Sequence, residues 1–271
     1  MKVLYFDCFS GISGDMTIAS LLDLGVDQGR LLDGLSKLGL DGCKISIEKK
    51  SKMGITGTYF NVILDGPHDE HSHEDEHKHD HDHHHEHEHS HEHEHNHRSL
   101  KDIESIIDSS TLSERVKDLS KKIFLIVAEA EGKIHGTAPE EVHFHEVGAV
   151  DSIIDIVAAA ICIEELKPDK IVFSKLPLSR GFVKCQHGLF PLPAPATLEI
   201  LKGMPVYFTD APIELVTPTG AAIAKALADE FGDMDEMEVE KVGYGLGNMD
   251  YHIPNVLRTI LFDVKKKTIT R

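Results

Sequence analysis

Apolar and polar positions change rhythm along the chain, and the changes predict its elements. "KVLYF" near the N-terminus is a short continuous apolar run, and "MTIASLLDLG" has helical spacing, with Gly and Ser between them. This predicts a strand, a tight turn and a helix. "CKISIEKKSKMGITGTYFNVIL" reads as two strands joined by a Lys- and Gly-rich turn, so residues 1–67 predict a small βαββ part. Further on, "LKDIESIIDSS" and "LSERVKDLSKKIFLIVAEAEGKIHG" carry apolar residues at helical spacing, with Ser or Thr as caps. "GAVDSIIDIVAAAICIEEL" predicts a largely buried helix. "DKIVFSKLPL" and "MPVYFTD" predict strands, "PLPAPATLEILKG" a helix with prolines in its first turn, and "TPTGAAIAKALADEF" a further helix. The stretch from Glu236 to Val264 predicts two strands around a Gly-rich turn. Strands and helices alternate, so the expected fold class is α/β (α+β), a mixed sheet with covering helices.

One segment has neither rhythm. Between His68 and His97, 15 of 30 residues are His and 11 are Asp or Glu, against a single Lys. It lacks the apolar residues that offset the entropy of ordering, so 68–98 predicts a long mobile insertion. The expected organisation is 1–67, the insertion, 99–264 completing the core, and a tail at 265–271. Imidazole suits nickel, copper and zinc, and the interleaved carboxylates concentrate cations. Such a tract can capture and release ions. It lacks the rigid support that holds one in a strained geometry. Its affinity should fall as pH drops through about 6.5.

Composition narrows the classes of partner. With 271 residues, 41% of them hydrophobic, the chain can bury a sizeable core. A formal net charge of -18 argues against nucleic acid or an anionic membrane, and favours cationic ligands including metal ions. Cys8, Cys43, Cys162 and Cys185 form neither a CxxC pair nor a dense framework, which predicts a reducing cytoplasmic home. The sequence shows neither a signal peptide nor a membrane span.

Five stretches could carry chemistry. In "FDCFSGISGDM" a strand runs into a Ser- and Gly-rich turn, Ser10, Gly11, Ser13 and Gly14, at the mouth of a helix. Its N–H groups suit a phosphate, while Asp7 and Asp15 could hold a metal or accept a proton; otherwise the glycines only turn the chain and Asp15 caps the helix. In "VHFHEVGAVDSIIDI", His143 and His145 would share a side if extended, with Glu146 beside them. Two imidazoles and a carboxylate make a divalent-metal site suited to zinc, nickel or iron. Asp151 and Asp155, four apart, share one helix face and need partners if buried. His187 precedes a Gly and a Pro-stiffened helix start, where a structural role competes with metal binding. Thr217, Thr219 and Gly220 open a helix, a geometry that suits an anion and equally a plain cap. Gly243, Gly245 and Gly247 alternate, as in a tight strand connection, and Arg258 could read a phosphate or carboxylate or pair with an acid.

Taken in order, "DCFSGISGDM", "HFHEVGAVDSIIDI", "HGLFPLPAPAT", "ELVTPTGAAIA" and "GYGLGNMD…PNVLR" resemble the LarC family of nickel-insertion proteins. The resemblance runs from the first strand to about Arg258 outside the tract. It implies a CTP-dependent cyclometallase, a nickel chelatase of the lyase class. The enzyme inserts Ni²⁺ into a pyridinium mononucleotide bearing two thiocarboxylates, making the nickel-pincer cofactor of lactate racemase and related enzymes. On that footing His143, His145 and Glu146, with His187, would handle nickel, and the tract would store it loosely. The Ser10–Gly14 turn or the Thr217–Gly220 helix start, with Arg258, would take the phosphate. The base stays open among Asp7, Asp15, Glu146 and Asp151. Family members are typically longer, with a C-terminal domain associated with CTP and its Mg or Mn, and some are joined by frameshifting, which the Lys265–Lys267 run would suit. The expectation is therefore an N-terminal product needing a C-terminal companion, and a homo-oligomer. A nickel store or chaperone, and a metal-dependent phosphohydrolase using Asp7 and Asp15, are the alternatives.

Overall fold

The computed structural model describes residues 1–65, 98–142, 144, 150–185, 188–234, 237–249 and 251–263. The histidine tract, and His143, His145, Glu146 and His187, lie outside the described residues.

A mixed sheet of seven strands organises the chain. Its centre is β1 (Lys2–Asp7), the "KVLYF" run, with four consecutive buried residues. On one side β1 runs antiparallel to β11 (Val256–Asp263), with Asp7 opposite Arg258. On the other it runs parallel to β4 (Lys170–Phe173). The remaining strands are β2 (Cys43–Lys52), β3 (Ile55–Leu64), β9 (Glu230–Phe231) and β10 (Val239–Leu246), in the order β2-β3-β10-β11-β1-β4-β9. Sequence before and after the tract thus contributes to one sheet.

The pleat of β1 separates two apolar layers. Leu4 and Phe6 face the main core, where Phe6 stacks on Phe173 with centroids 4.6 Å apart. Val3 and Tyr5 face a smaller cluster with Val172 and Phe262. The main core is covered by α1 (Gly14–Leu24), α4 (Glu114–His135), α5 (Val150–Leu166) and α7 (Pro218–Leu227). Ten of the 17 residues of α5 are buried, as its nearly unbroken apolar sequence predicts. The shorter helices are α2 (Gln28–Ser36), α3 (Leu100–Ser109) and α6 (Pro195–Ile200). Pro195 opens α6, where its missing N–H costs nothing.

Three local predictions are refined. The βαββ part contains a second helix, α2, capped by Asp27 and buried through Leu31 and Leu35. "DKIVFSKLPL" holds two strands, β4 and β5 (Leu176–Leu178), the second pairing with β8 (Val206–Phe208). An antiparallel hairpin, β6 (Gly181–Cys185) and β7 (Gly188–Leu192), adds to the expected elements. Gly243 and Gly245 lie within β10 rather than in a strand connection. A Cβ on Gly245 would meet Ser20 N at 2.6 Å, and one on Gly243 would meet Leu24 N at the same distance, so bare backbone lets α1 lie directly on the strand. Among the described residues no helix is long and apolar enough to cross a membrane.

Candidate functional site at the end of the central strand

The chain leaves β1 at Asp7, turns through Cys8 to Ser13 and enters α1. Ser13 is the cap: its Oγ accepts from Met16 N at 3.4 Å and donates to the Asp15 carboxylate. Asp15 is therefore a first-turn residue, where a carboxylate complements the helix dipole. Gly11 is required by its φ of 97° and by the approach of Leu215, whose carbonyl carbon a Cβ would meet at 2.6 Å.

That approach is the central finding of the site. Ile12 N donates to Leu215 O at 2.8 Å, and Thr217 N donates to Ile12 O at 3.2 Å. The turn before α1 and the strand-like segment before α7 are stitched together like two strands of a sheet. Thr217 caps α7 by accepting from Gly220 N at 3.1 Å. The two stretches that could each take a phosphate thus form a single place, where two helix N-termini meet. Ser10 is fully buried with its Oγ 3.2 Å from the Tyr251 hydroxyl, and Thr219 is nearly buried. What this place offers an anion is the backbone N–H groups in the first turns of α1 and α7.

On the face of α1 toward α5, three carboxyl groups gather. Asp155 accepts the backbone N–H of Asp15 and packs on Gly14, where a Cβ would meet its carboxyl carbon at 2.9 Å. Burial, then Asp15 and Asp151, pushes the Asp155 carboxyl well above the usual range. Burial also raises Asp15, against the Ser13 hydrogen bond, and raises Asp151, whose Oδ1 accepts from Ser152 N at 2.8 Å. A carboxylate so raised is a stronger base. The partner the sequence demanded for Asp155 is thus the first turn of another helix.

Asp7 is placed differently. It shares a face of β1 with Tyr5, and Arg258 donates to its Oδ2 through Nε at 2.9 Å and through Nη2. Arg258 thus pairs with an acid, one of the two roles its fork allowed, while its side chain stays 42% exposed.

The "HFHE" segment is described only at Phe144. Its ring is buried against Phe124, and its N–H donates to Arg98 O at 3.2 Å. Arg98 is the residue that directly follows the histidine tract. Among the described residues no three His, Cys, Asp or Glu side chains gather closely enough to hold a metal ion.

Sequence reasoning singled out Asp155 through its four-residue spacing from Asp151 but did not join it to Asp15, and it missed Tyr207 near Asp7 and Tyr251 against Ser10. Nothing local signals the two tyrosines.

The chain matches the nickel insertion protein family over residues 4–271. It belongs to that family. It is 56% identical over 268 residues to the pyridinium-3,5-bisthiocarboxylic acid mononucleotide nickel insertion protein of Clostridium acetobutylicum, covering 96% of this chain and 64% of that one. The protein of that name from Clostridium kluyveri is 51% identical, covering 96% of this chain and 62% of its own length. A putative nickel insertion protein of Maridesulfovibrio salexigens is 53% identical, covering 98% and 64%. The chain thus spans less than two thirds of the length of these relatives. No solved structure matches it.

Proposed function

We propose that this chain receives nickel and holds a pyridinium mononucleotide while nickel is inserted between its two thiocarboxylates. The observation that carries the reading is convergence. Motifs separated by some two hundred residues, the Phe6–Met16 turn and the Leu215–Gly220 helix start, share backbone hydrogen bonds at one end of the sheet.

In this reading the phosphate lies against the two helix N-termini, whose positive ends and N–H groups favour an anion. Nickel enters as substrate, with His143, His145, Glu146 and His187 as its candidate ligands. Two sulfur atoms bind the ion, and the ring carbon between them exchanges its proton for nickel. That proton needs a base. Asp7 has its Oδ2 committed to Arg258, which favours Asp15 and Asp151, with Glu146 still a candidate. CTP dependence, a metal such as Mg or Mn for CTP, a companion C-terminal portion and self-association come with the family resemblance.

The test is nickel titration of the chain with and without residues 68–97. The tract should supply many weak sites that fall away below about pH 6.5, and one tight site should survive its deletion. Loss of all nickel binding on deletion would make the protein a store. Mass analysis of the mononucleotide after incubation with nickel, CTP and the companion C-terminal portion then tests insertion itself; phosphate release from a simple phosphoester instead would favour a phosphohydrolase.

A further inference from the structure

Beside the Asp7–Arg258 pair, the end of β1 is aromatic. Phe9 follows Cys8 out of β1, and its ring centroid lies 5.6 Å from the Arg258 guanidinium. Tyr251 comes from the loop between β10 and β11, tied to the same turn through its hydroxyl at Ser10. Tyr207 is the middle residue of β8, opposite Pro177 of β5. The segment entering β5 is fixed at the end of β1 by Cys8 N donating to Ser174 Oγ at 2.9 Å. Burial first, and then Asp7, Cys8 and Tyr251, raise the proton affinity of the Tyr207 phenol, which sets it among these groups. All three rings keep part of their surface in water, Tyr207 as much as 40%. Large rings in a structural role are normally packed away; here Phe9 lies beside the Arg258 guanidinium, and Tyr207 and Tyr251 keep part of their surface exposed.

We infer that Phe9, Tyr207 and Tyr251 receive the cationic ring of the pyridinium mononucleotide, with Asp7 as its countercharge and Arg258 facing an acidic substituent. This rests on the function proposed above, which supplies the ligand, and it adds the residues that recognise the ring. A pyridinium is flat, apolar in area and positively charged, so the electron-rich faces of aromatic side chains attract it more than they attract a neutral ring. Its two thiocarboxylates are anionic, so further acids would repel it. A carboxylate already paired with a half-exposed guanidinium answers both charges. The Ser10–Tyr251 hydrogen bond would then hold the ring beside the turn whose next residues, Ser13 and Gly14, face the phosphate.

The probes are nicotinic acid mononucleotide, a pyridinium mononucleotide; uridine monophosphate, with a neutral ring; and ribose 5-phosphate, with no base. Each is titrated calorimetrically into the full chain and into Tyr207→Leu, Tyr251→Leu and Tyr251→Phe. The pyridinium compound should bind roughly tenfold more tightly than ribose 5-phosphate, with the uridine compound between them. Each Leu variant should weaken it by about three- to thirtyfold and leave ribose 5-phosphate unchanged, while Tyr251→Phe keeps most of the affinity. No preference for the cationic ring, or Leu variants that bind it like the unaltered chain, overturns the inference. Should a Leu variant fail to fold, tyrosine ring resonances of the unaltered chain decide. They should shift with the pyridinium compound and not with ribose 5-phosphate, and unmoved resonances sink the idea. Ring binding as expected without nickel insertion once the companion C-terminal portion and CTP are supplied would refute the proposed function alone; insertion at full rate in both Leu variants under those conditions would refute this inference alone.

Discussion

Gly220→Ala tests the seam between the two helix N-termini, because two effects there have opposite signs. Gly220 lies in the first turn of α7, where an exposed Gly to Ala change stabilises a helix by about 1 kcal/mol. Its added Cβ would meet the carbonyl carbon of Ile12 at 2.6 Å and Ser13 Cα at 2.9 Å. Carbon atoms settle at about 3.5 Å, so the seam must open by roughly 1 Å. The Thr217 N to Ile12 O bond is already 3.2 Å and would not survive that opening. Overpacking costs about 1–3 kcal/mol, and an unpaired backbone donor or acceptor about 1–3 kcal/mol. The net expectation is a loss of about 1–5 kcal/mol, a fall of roughly 2–20 °C in melting temperature for a domain of this size. The chain has no Trp, so far-UV circular dichroism through heating and urea titration is the assay. A variant as stable as the unaltered chain, or more so, would refute the seam as described.

Asp155→Asn should stabilise the protein at neutral pH while keeping an oxygen to accept the Asp15 N–H. The folded Asp155 carboxyl is raised, so its ionisation opposes folding. The unaltered chain therefore loses stability as pH rises from the ordinary carboxylate value of about 3.9 through the folded one, and urea midpoints of the pair should converge near pH 4 and separate by pH 7.5. Identical separation at both values would contradict this. Arg258→Lys removes the fork that reaches Asp7 and should lower nickel insertion by roughly tenfold or more. It should change stability by only about 1 kcal/mol, because the Arg258 side chain is 42% exposed and the pair is screened by solvent; full activity in this variant would remove the pair from the site. Ser13→Ala removes the cap of α1 and should cost about 1 kcal/mol in a urea titration.

The elements that frame the site were legible because each carries its own local signal. β1 is an apolar run, α5 an almost unbroken apolar helix, and Thr217-Pro218 a cap followed by a first-turn proline. α2 was missed because only Leu31 and Leu35 face the core, and two glycines dilute the pattern. Asp27 at the cap and the leucine spacing were the available signals. The β6–β7 hairpin was missed because Phe182 and Leu189, which would announce a strand by facing a core, are exposed. Within the site, residue types and local turns could be read, but not their meeting. Ser10 and Tyr251 are 241 positions apart, and the Asp15 N–H finds its acceptor at Asp155 on another helix. Contacts of that kind belong to topology, which periodicity does not encode.

The hydrogen bond from Phe144 to Arg98 has a kinetic consequence. It fastens the point where the histidine tract rejoins the fold to the middle of "HFHE". In the proposed function, handing an ion from the tract to "HFHE" would then be an event within a single chain, governed by an effective concentration rather than by the protein concentration. Its rate constant should be first order and unchanged on dilution, whereas the same tract supplied as a separate peptide would deliver nickel at a rate proportional to how much of it is present.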